Sequence, residues 1–236
     1  MRKNIIYYVL LTGISALCSL TSCSGDDEQV YSCDKQVNTW VKANASSLQT
    51  MTREQWKGLS ERVNIPVYRA FSPEQKYTFW KEKISELRTL PWSAKELEHI
   101  MRLDTFLNDN KSLFSNEKMS DEEKDDLDVF SYKWIDYAEK ELGWSKELIY
   151  AIVATGSEVK DTKGTLRTRK RSSKAIAKLT PLAESNTSQS ECHCNTESLV
   201  SCFLTGFYCE YAKCETTNDG CGFFWQYTCD GTCGGF

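Results

Sequence analysis

The sequence has little histidine and no excess of basic charge. Only His99 and His193 occur among 236 residues, so a catalytic or metal centre built from histidine is not expected. Lysine and arginine total 29 against 33 aspartate and glutamate, and the net charge of −4 argues against nucleic acid as the main partner. With 26% charged and 40% hydrophobic residues, wholesale disorder and a multi-span membrane protein are both excluded.

Recognisable catalytic patterns are also missing from the sequence. It contains neither a glycine-rich phosphate loop nor a nucleophile elbow. The acidic run over 121–126 is explained by the dipole at the start of a helix and by solvation. His99 has no cysteine or histidine at metal-ligand spacing. We therefore expect a protein that is not an enzyme and that carries no cofactor and no metal, with a hydrolase as the remote alternative.

The start of the chain has the pattern of an export signal. A short basic start precedes an apolar run over 5–20, which is short for a transmembrane helix of about 20 residues and suits a secretory signal. The Leu-Thr-Ser-Cys that ends at Cys23 resembles a bacterial lipobox. This implies removal of residues 1–22 and a diacylglycerol membrane anchor on Cys23, and an uncleaved anchor helix is the alternative. We expect an outer-membrane or cell-surface lipoprotein.

Residues 23–32 are predicted to be a tether. The acidic cluster over 26–28 resembles the surface-export signal of some Gram-negative lipoproteins, and a plain solvated tether is the alternative. Disulfides form and persist in the oxidising environment that an exported chain reaches. Cys33 then stands ten residues from the anchor. It is predicted to pack at the start of the first helix, to bridge two molecules, or to displace a partner in another disulfide.

Residues 33–155 predict a helical, bundle-like domain of about five to six helices, which makes the fold class mainly α. Four capping boxes mark helix starts, and apolar residues at helical spacing follow each of them. They begin at Thr52, Ser72, Ser93 and Ser120. Gly143 is predicted to end the fourth of these helices, and Ser145 to cap a last one.

Two further features of this domain lead to predictions. Residues 64–71 contain Pro66 and are predicted to be an extended linker or a turn between helices. The tryptophans of the domain are predicted to pack in the core rather than to stack on a ligand. They are Trp40, Trp56, Trp80, Trp92, Trp134 and Trp144.

Residues 156–191 predict a basic flexible linker. Helical periodicity stops after Gly156, and up to Lys178 eight positive charges stand against two acidic residues. Such a segment buries too little apolar surface to offset the entropy of ordering it. Its Arg169-Lys170-Arg171 is a candidate processing site whose cleavage would release the tail. The alternative is a basic tether that contacts anionic lipid or sugar phosphate.

Residues 192–236 predict a small disulfide-rich module with short strands. Eight cysteines in an exported segment of this length indicate four disulfides, for which 105 connectivities are possible. They are Cys192, Cys194, Cys202, Cys209, Cys214, Cys221, Cys229 and Cys233. A zinc site is disfavoured, because structural zinc sites use two short cysteine pairs at separations of two to four residues.

The composition of this module also predicts turns, a strand and a binding surface. Turns are predicted at 218–220 and 230–231, and a strand is predicted over 223–228. So many aromatic side chains cannot all be buried in so small a body, and an exposed aromatic patch usually marks a binding surface. The candidate residues for this surface are Phe223, Phe224, Trp225 and Tyr227.

The chain is similar to the lipoproteins grouped as bacteriocin fulvocin C-related proteins. The tail resembles the antibiotic fulvocin C in its Cys-x-Cys start at Cys192 and in the Gly-Cys-Gly over 220–222 that leads to Cys229. The lipobox and the motifs over 37–42 and 73–76 extend the family resemblance to nearly the whole chain. The final Cys-x3-Cys spacing departs from the tighter pair that ends the antibiotic.

The resemblance implies an exported, bacteriocin-like antimicrobial lipoprotein whose four-disulfide module acts on or binds a target in the envelope of other bacteria. From Glu191 onward the tail carries six acidic residues and one basic residue, so a receptor is favoured over bulk lysis of anionic membranes. The alternative is a non-toxic surface lipoprotein whose cysteine-rich part binds a peptide, glycan or protein. The helical domain is expected to be a carrier, a self-protection element or the functional part itself.

Overall fold

The structure is a computed structural model that describes residues 29–115, 119–167, 192–202, 208–212 and 216–234. The signal segment, Cys23, the candidate processing site over 169–171 and Cys214 lie outside these residues, so what the sequence indicates for them stays a prediction. Within the described ranges, no helix is both long enough and apolar enough to cross a membrane.

The described residues hold seven α-helices followed by four short strands. The helices are α1 (Lys35–Leu48), α2 (Arg53–Lys57), α3 (Glu61–Arg69), α4 (Pro73–Leu87), α5 (Ala94–Asp109), α6 (Asp121–Lys140) and α7 (Lys146–Val153). The strands are β1 (Tyr208–Tyr211), β2 (Thr217–Cys221), β3 (Tyr227–Cys229) and β4 (Gly231–Gly234). The mainly α fold with a C-terminal region of short strands is therefore confirmed, with more helices than expected.

The predicted helix starts are confirmed residue by residue. Thr52, Ser72, Ser93 and Ser120 each accept the N–H of the third helical residue, whose own side chain accepts the N–H of the cap. Ser145 caps α7 by accepting the N–H of Leu148. Such a cap stabilises a helix by about 1 kcal/mol. A local motif of four residues thus determines where each of these four helices begins.

The extended linker or turn predicted over 64–71 is wrong for residues 64–69, because they belong to α3 and Pro66 lies inside that helix. A proline at an interior position of a helix costs about 3 kcal/mol. Val63, Val67 and Tyr68 are nevertheless buried on this helix. Each such burial contributes about 1.5–3 kcal/mol, so the three together exceed the cost of the proline.

The flexible linker predicted from Gly156 onward is wrong for residues 156–167. Val159 and Leu166 form an antiparallel bridge, and Val159 is buried in the core. Two backbone hydrogen bonds of 2.8 and 2.9 Å flank this bridge. The chain therefore turns back on itself beside the helices. Burial of Val159 orders this stretch, although its composition is polar. Residues 168–191 lie outside the described part of the chain.

The strands form two antiparallel sheets of two strands each. β1 pairs with β4, and β2 pairs with β3. The turn predicted at 218–220 is wrong, because these residues lie within β2, where the register shifts and Gly220 has a φ of +105°. The strand predicted over 223–228 is wrong in its first half, because Phe223–Trp225 is a 3-10 turn. At the turn predicted at 230–231, residue 230 connects β3 to β4. These two strands belong to different sheets, so they do not form a hairpin.

One hydrophobic core contains side chains from the helices and from the C-terminal strand region together. Trp56, Trp80, Trp134 and Trp144 are buried in it, and Trp40 and Trp92 pack against its edge. Core packing of the tryptophans is therefore confirmed. Because Val200 and the aromatic residues over 223–227 belong to the same cluster, the C-terminal region shares the apolar interior of the helices.

Candidate functional site

The four residues predicted to form a binding surface are buried, so that prediction is wrong. Phe223, Phe224, Trp225 and Tyr227 are each exposed by 5% or less. The prediction treated the cysteine module as a separate small body that is too small to bury all of its aromatic side chains. In the structure the helices bury them, because these side chains belong to the common core.

Trp225 lies at the centre of an aromatic cluster formed by helices α2, α3 and α4. Its ring centroid is 4.8–5.8 Å from those of Trp56, Tyr68, Phe79 and Trp80. Tilted and edge-on ring pairs at such distances contribute about 0.5–1.5 kcal/mol each beyond the area that they bury. The cluster therefore joins the C-terminal region to three helices at once.

The backbone that carries these rings is strained. Phe224 and Trp225 have φ angles of +52° and +58°, in the left-handed region that bulky residues rarely occupy. A residue held there costs on the order of 1–3 kcal/mol and persists only where the surrounding structure enforces it. The turn over Phe223–Trp225 therefore depends on the packing of its rings among the helices.

Arg69 connects three distant parts of the chain. From α3 its guanidinium donates hydrogen bonds to the backbone oxygens of Tyr31 and Asp219, at 2.8 and 2.7 Å, and to Sγ of Cys229 at 3.0 Å. The carboxylate of Asp219 also pairs with the amino group of Lys76 on α4. The N-terminal segment, the helices and the β2–β3 sheet thus meet at one buried cation.

Helix α6 holds the C-terminal region by a second set of polar contacts. The hydroxyl of Tyr227 donates a hydrogen bond to the carboxylate of Asp128, and Lys124 forms an ion pair with Glu197. Burial, followed by the hydrogen bond to Asp128, raises the pKa of Tyr227 well above its usual range. Tyr227 therefore stays protonated as a donor at physiological pH.

Two buried basic side chains lie where α7 ends. Nη2 of Arg53 donates to the oxygen of Gly156 at 2.9 Å, and its Nη1 pairs with Glu86 at 2.6 Å. The amino group of Lys83, whose residue is 1% exposed, donates to the backbone oxygens of Ala151 and Thr155. Burial, and then the charge of Arg53, lowers the pKa of Lys83 well below its usual range.

A lysine with a lowered pKa is a candidate nucleophile or base in an enzyme. The amino group of Lys83 is buried and donates to carbonyl oxygens, so this arrangement stabilises the end of α7.

His99 is also a packed side chain, stacked on Trp134 and Tyr137 at centroid distances of 4.6 and 4.8 Å. Its Nε2 bonds the oxygen of Trp134 at 3.0 Å.

The described cysteines of the tail are paired in disulfides. Cys194–Cys209, Cys202–Cys233 and Cys221–Cys229 are bonded, and Cys192 is also disulfide-bonded. The predicted disulfide framework is therefore confirmed for these seven residues. The sulfur atoms of Cys194, Cys202 and Cys233 lie within 4.8 Å of one another. They do not fit a metal, because zinc needs thiolate ligands and these sulfurs are bonded in disulfides.

Cys33 packs, half-buried, against the cluster of Cys192, Cys221 and Cys229. It immediately precedes Asp34, whose carboxylate caps α1. Packing at the start of the first helix, one of the three states that the sequence left open for Cys33, is therefore observed, and the other two stay predictions. The N-terminal segment therefore contacts the cysteine-rich region here as well as through Arg69.

Among the described residues of the tail, two aromatic side chains are exposed, and neither belongs to the four that were predicted. Tyr208 and Tyr211 on β1 are 48% and 71% exposed. Their partners across the sheet are Gly234 and Gly231. The sequence could not single them out from the other aromatic residues of the tail, because their exposure depends on this register.

Comparison with known proteins returned no match among protein-family models, curated proteins or solved structures. The resemblance to the fulvocin C-related lipoproteins therefore stays a prediction that rests on the residues that carry it.

Proposed function

We propose that this chain acts intact, as an exported lipoprotein that is anchored through Cys23 and binds a peptide, glycan or protein partner in the cell envelope. The observation that supports this proposal is the burial of Trp225 among the helices. Burying one aromatic side chain contributes about 1.5–3 kcal/mol. Withdrawing the four buried aromatics of residues 223–227 would cost on the order of 10 kcal/mol, which equals the whole stability of a typical domain.

The proposed anchor would keep the cysteine-rich region beside the membrane. Arg69 bonds Tyr31 and Asp219 together, so the N-terminal segment enters the fold at the C-terminal strands. The eight residues from Cys23 to Tyr31 span at most about 29 Å when fully extended. The partner of such a protein is then a molecule at the surface of the envelope.

Cleavage of the chain between its helices and its tail tests whether the protein acts intact. A specific protease site replaces residues 169–171, and the purified, oxidised protein is cut there. We expect the two fragments to elute together in size-exclusion chromatography without denaturant and to separate only when denaturant is added. A C-terminal fragment that elutes alone in native buffer contradicts the proposal. The same cut in a Trp225→Ala variant is the matched comparison and is expected to release the fragment more readily.

The anchor is tested separately from the fold. Mass spectrometry of the membrane fraction is expected to find an N-terminal fragment that begins with diacylated Cys23. A Cys23→Ser variant is expected to lose this mass and to leave the membrane fraction. An unmodified Cys23 in membrane-bound protein contradicts the proposed anchor and leaves the cleavage experiment unaffected.

A bacteriocin-like function is the second candidate, and one observation favours it. The helices enclose the aromatic side chains of the tail, which is what a carrier or self-protection element of a toxin would do. Intact and cut oxidised proteins, spotted on lawns of related and unrelated bacteria, distinguish the candidates. Inhibition by the cut protein alone supports the toxin. No inhibition by either protein on any strain contradicts it.

A further inference from the structure

Strand β1 is the outer edge of its sheet in the part of the chain that the structure describes. On the other side of β4, Gly231 exchanges backbone hydrogen bonds of 3.1 and 3.3 Å with Cys194. In an antiparallel ladder, a residue that bonds one neighbouring strand points its N–H and C=O away from the other. Gly231 stands opposite Tyr211 and therefore does not bond it.

This pattern sets which backbone groups of β1 point outward. The N–H of Ala212 donates to the oxygen of Asp230 at 3.0 Å, as expected when Tyr211 and Gly231 are a non-hydrogen-bonded pair. The N–H and C=O of Tyr211 then point away from β4, and those of Cys209, two residues earlier, do the same. An edge with such groups is a template for an added strand.

The side chains of β1 suit such an addition. Tyr208 and Tyr211 are both exposed, and because they are three residues apart in a strand they lie on opposite faces of the sheet. Since Gly234 and Gly231 stand opposite them, no side chain of β4 covers either ring from the directly opposite position. An added strand would find one aromatic ring on each face beside its own side chains.

Charge decides which strand fits. The charged side chains of the described tail are all acidic: Glu197, Glu210, Asp219 and Asp230. Glu210 lies in the middle of β1 between the two outward-pointing residues, where the hydroxyl of Tyr208 bonds its carboxylate. If a second copy paired symmetrically about this position, two Glu210 side chains would stand opposite each other, and like charges there are destabilising.

We propose that the outer edge of β1 binds an extended peptide that places a lysine or arginine opposite Glu210. Main-chain hydrogen bonds to Cys209 and Tyr211 supply the attachment, and the charge opposite Glu210 selects the peptide. This inference deepens the binding function proposed above by naming its partner. Its test is distinguishable from the earlier ones, because failure of peptide binding leaves the outcomes of the cleavage and acylation experiments unchanged.

Two matched peptides test the proposal on the full, oxidised chain. Both have eight residues of alternating threonine and valine with blocked ends, and the fourth position is lysine in one and glutamate in the other. We expect the lysine peptide to bind about tenfold more tightly than the glutamate peptide at low salt. Glu210→Lys is expected to reverse this preference. Glu82→Lys makes the same charge change on the exposed face of α4 and is expected to leave it unchanged.

Methylation of peptide amides tests the main-chain hydrogen bonds. Every second N–H of an added strand points to the edge, so methylating one alternate set should abolish binding and methylating the other should not. Backbone amide shifts in NMR spectra should be largest at Cys209, Glu210 and Tyr211. Absence of binding by both peptides, equal binding of both, equal effects of the two methylation patterns, or shifts centred outside β1 would each overturn the proposal.

Discussion

The indole N–H of Trp225 donates a hydrogen bond to the backbone oxygen of Ala154, with an Nε1–O distance of 2.9 Å. Ala154 ends α7, and the last carbonyls of a helix have no partner within it. Lys83 donates to Ala151 and Thr155 at the same helix end. A side chain from the C-terminal strand region thus supplies a hydrogen-bond donor to the end of α7. We therefore expect the helices and the C-terminal strand region to unfold together.

Replacing Trp225 with alanine should lower the free energy of unfolding by about 3–5 kcal/mol, because the aromatic cluster would surround a cavity. Urea denaturation followed by circular dichroism at 222 nm measures this loss in the helices. Tyr211→Ala is the control: Tyr211 is largely exposed, so its removal should change stability by no more than about 0.5 kcal/mol. Equal effects of the two substitutions would contradict the shared core.

Adding one methyl group at Gly156 should also be destabilising. A Cβ there would lie 2.5 Å from ring atoms of Phe79 and Trp56 and 2.8 Å from a ring atom of Trp225. Overpacking of this kind costs about 1–3 kcal/mol. Thermal unfolding of Gly156→Ala should show the loss, whereas Ser157→Ala at the adjacent half-buried position should leave the melting temperature nearly unchanged.

Arg69→Ala tests the polar connection between the N-terminal segment, α3 and the β2–β3 sheet. The substitution removes the buried guanidinium that donates to the half-buried oxygens of Tyr31 and Asp219, and breaking a buried ionic contact costs about 3–5 kcal/mol. Urea denaturation of the oxidised protein checks the value. Arg88→Ala removes the same charge from an exposed position and should have an effect within about 0.5 kcal/mol.

The helix starts could be predicted from the sequence because the information is local. The hydroxyl of Ser93 accepts the backbone N–H of Glu96, and the side chain of Glu96 accepts the backbone N–H of Ser93. Both hydrogen bonds lie within four residues and do not depend on the rest of the chain. Pro66 is the contrary case. Its helix forms because Val67 and Tyr68 pack in a core that distant residues contribute. The residues around Pro66 in the sequence therefore do not predict this helix.

The predicted binding surface failed for the same reason. Composition alone identified Trp225 as a large aromatic side chain in a small module, but not the helix carbonyl 71 residues away that it would bond. The disulfide partners were also beyond the sequence, because they depend on the register that places Cys209 opposite Cys233 and Cys194 beside Gly231. Exposure of Tyr208 is a consequence of that register as well.

Reduction of the disulfides should affect the two sheets differently. β1 and β4 contain Cys209 and Cys233 and are largely outside the core, so this sheet should lose order when its bridges are reduced. β3 carries Tyr227, which is buried in the helical core, and should stay protected. Amide hydrogen exchange after reduction should therefore accelerate at Glu210 far more than at Tyr227. Equal acceleration would show that the bridges alone order both sheets.

Stability should fall in mild acid because of His99. Its Nε2 is bonded to Trp134, and its buried Nδ1 has no hydrogen-bond partner among the described residues. Burial lowers the pKa of His99 from 6.5 to about 4. Between these values the unfolded chain binds the proton and the folded chain does not. The free energy of unfolding should therefore decrease as the pH falls from 6.5 to 4, by up to about 1.4 kcal/mol per pH unit.

Urea denaturation at several pH values between 7 and 4 measures this slope, and one variant isolates its source. His99→Phe keeps a ring for stacking but cannot take up a proton, so the slope above pH 5 should be much smaller than in the wild type. Carboxylates that the fold holds ionised, such as Asp34 and Glu86, also reduce stability when they are protonated at lower pH. The difference between the wild-type and His99→Phe slopes therefore gives the contribution of His99, and parallel slopes would contradict it.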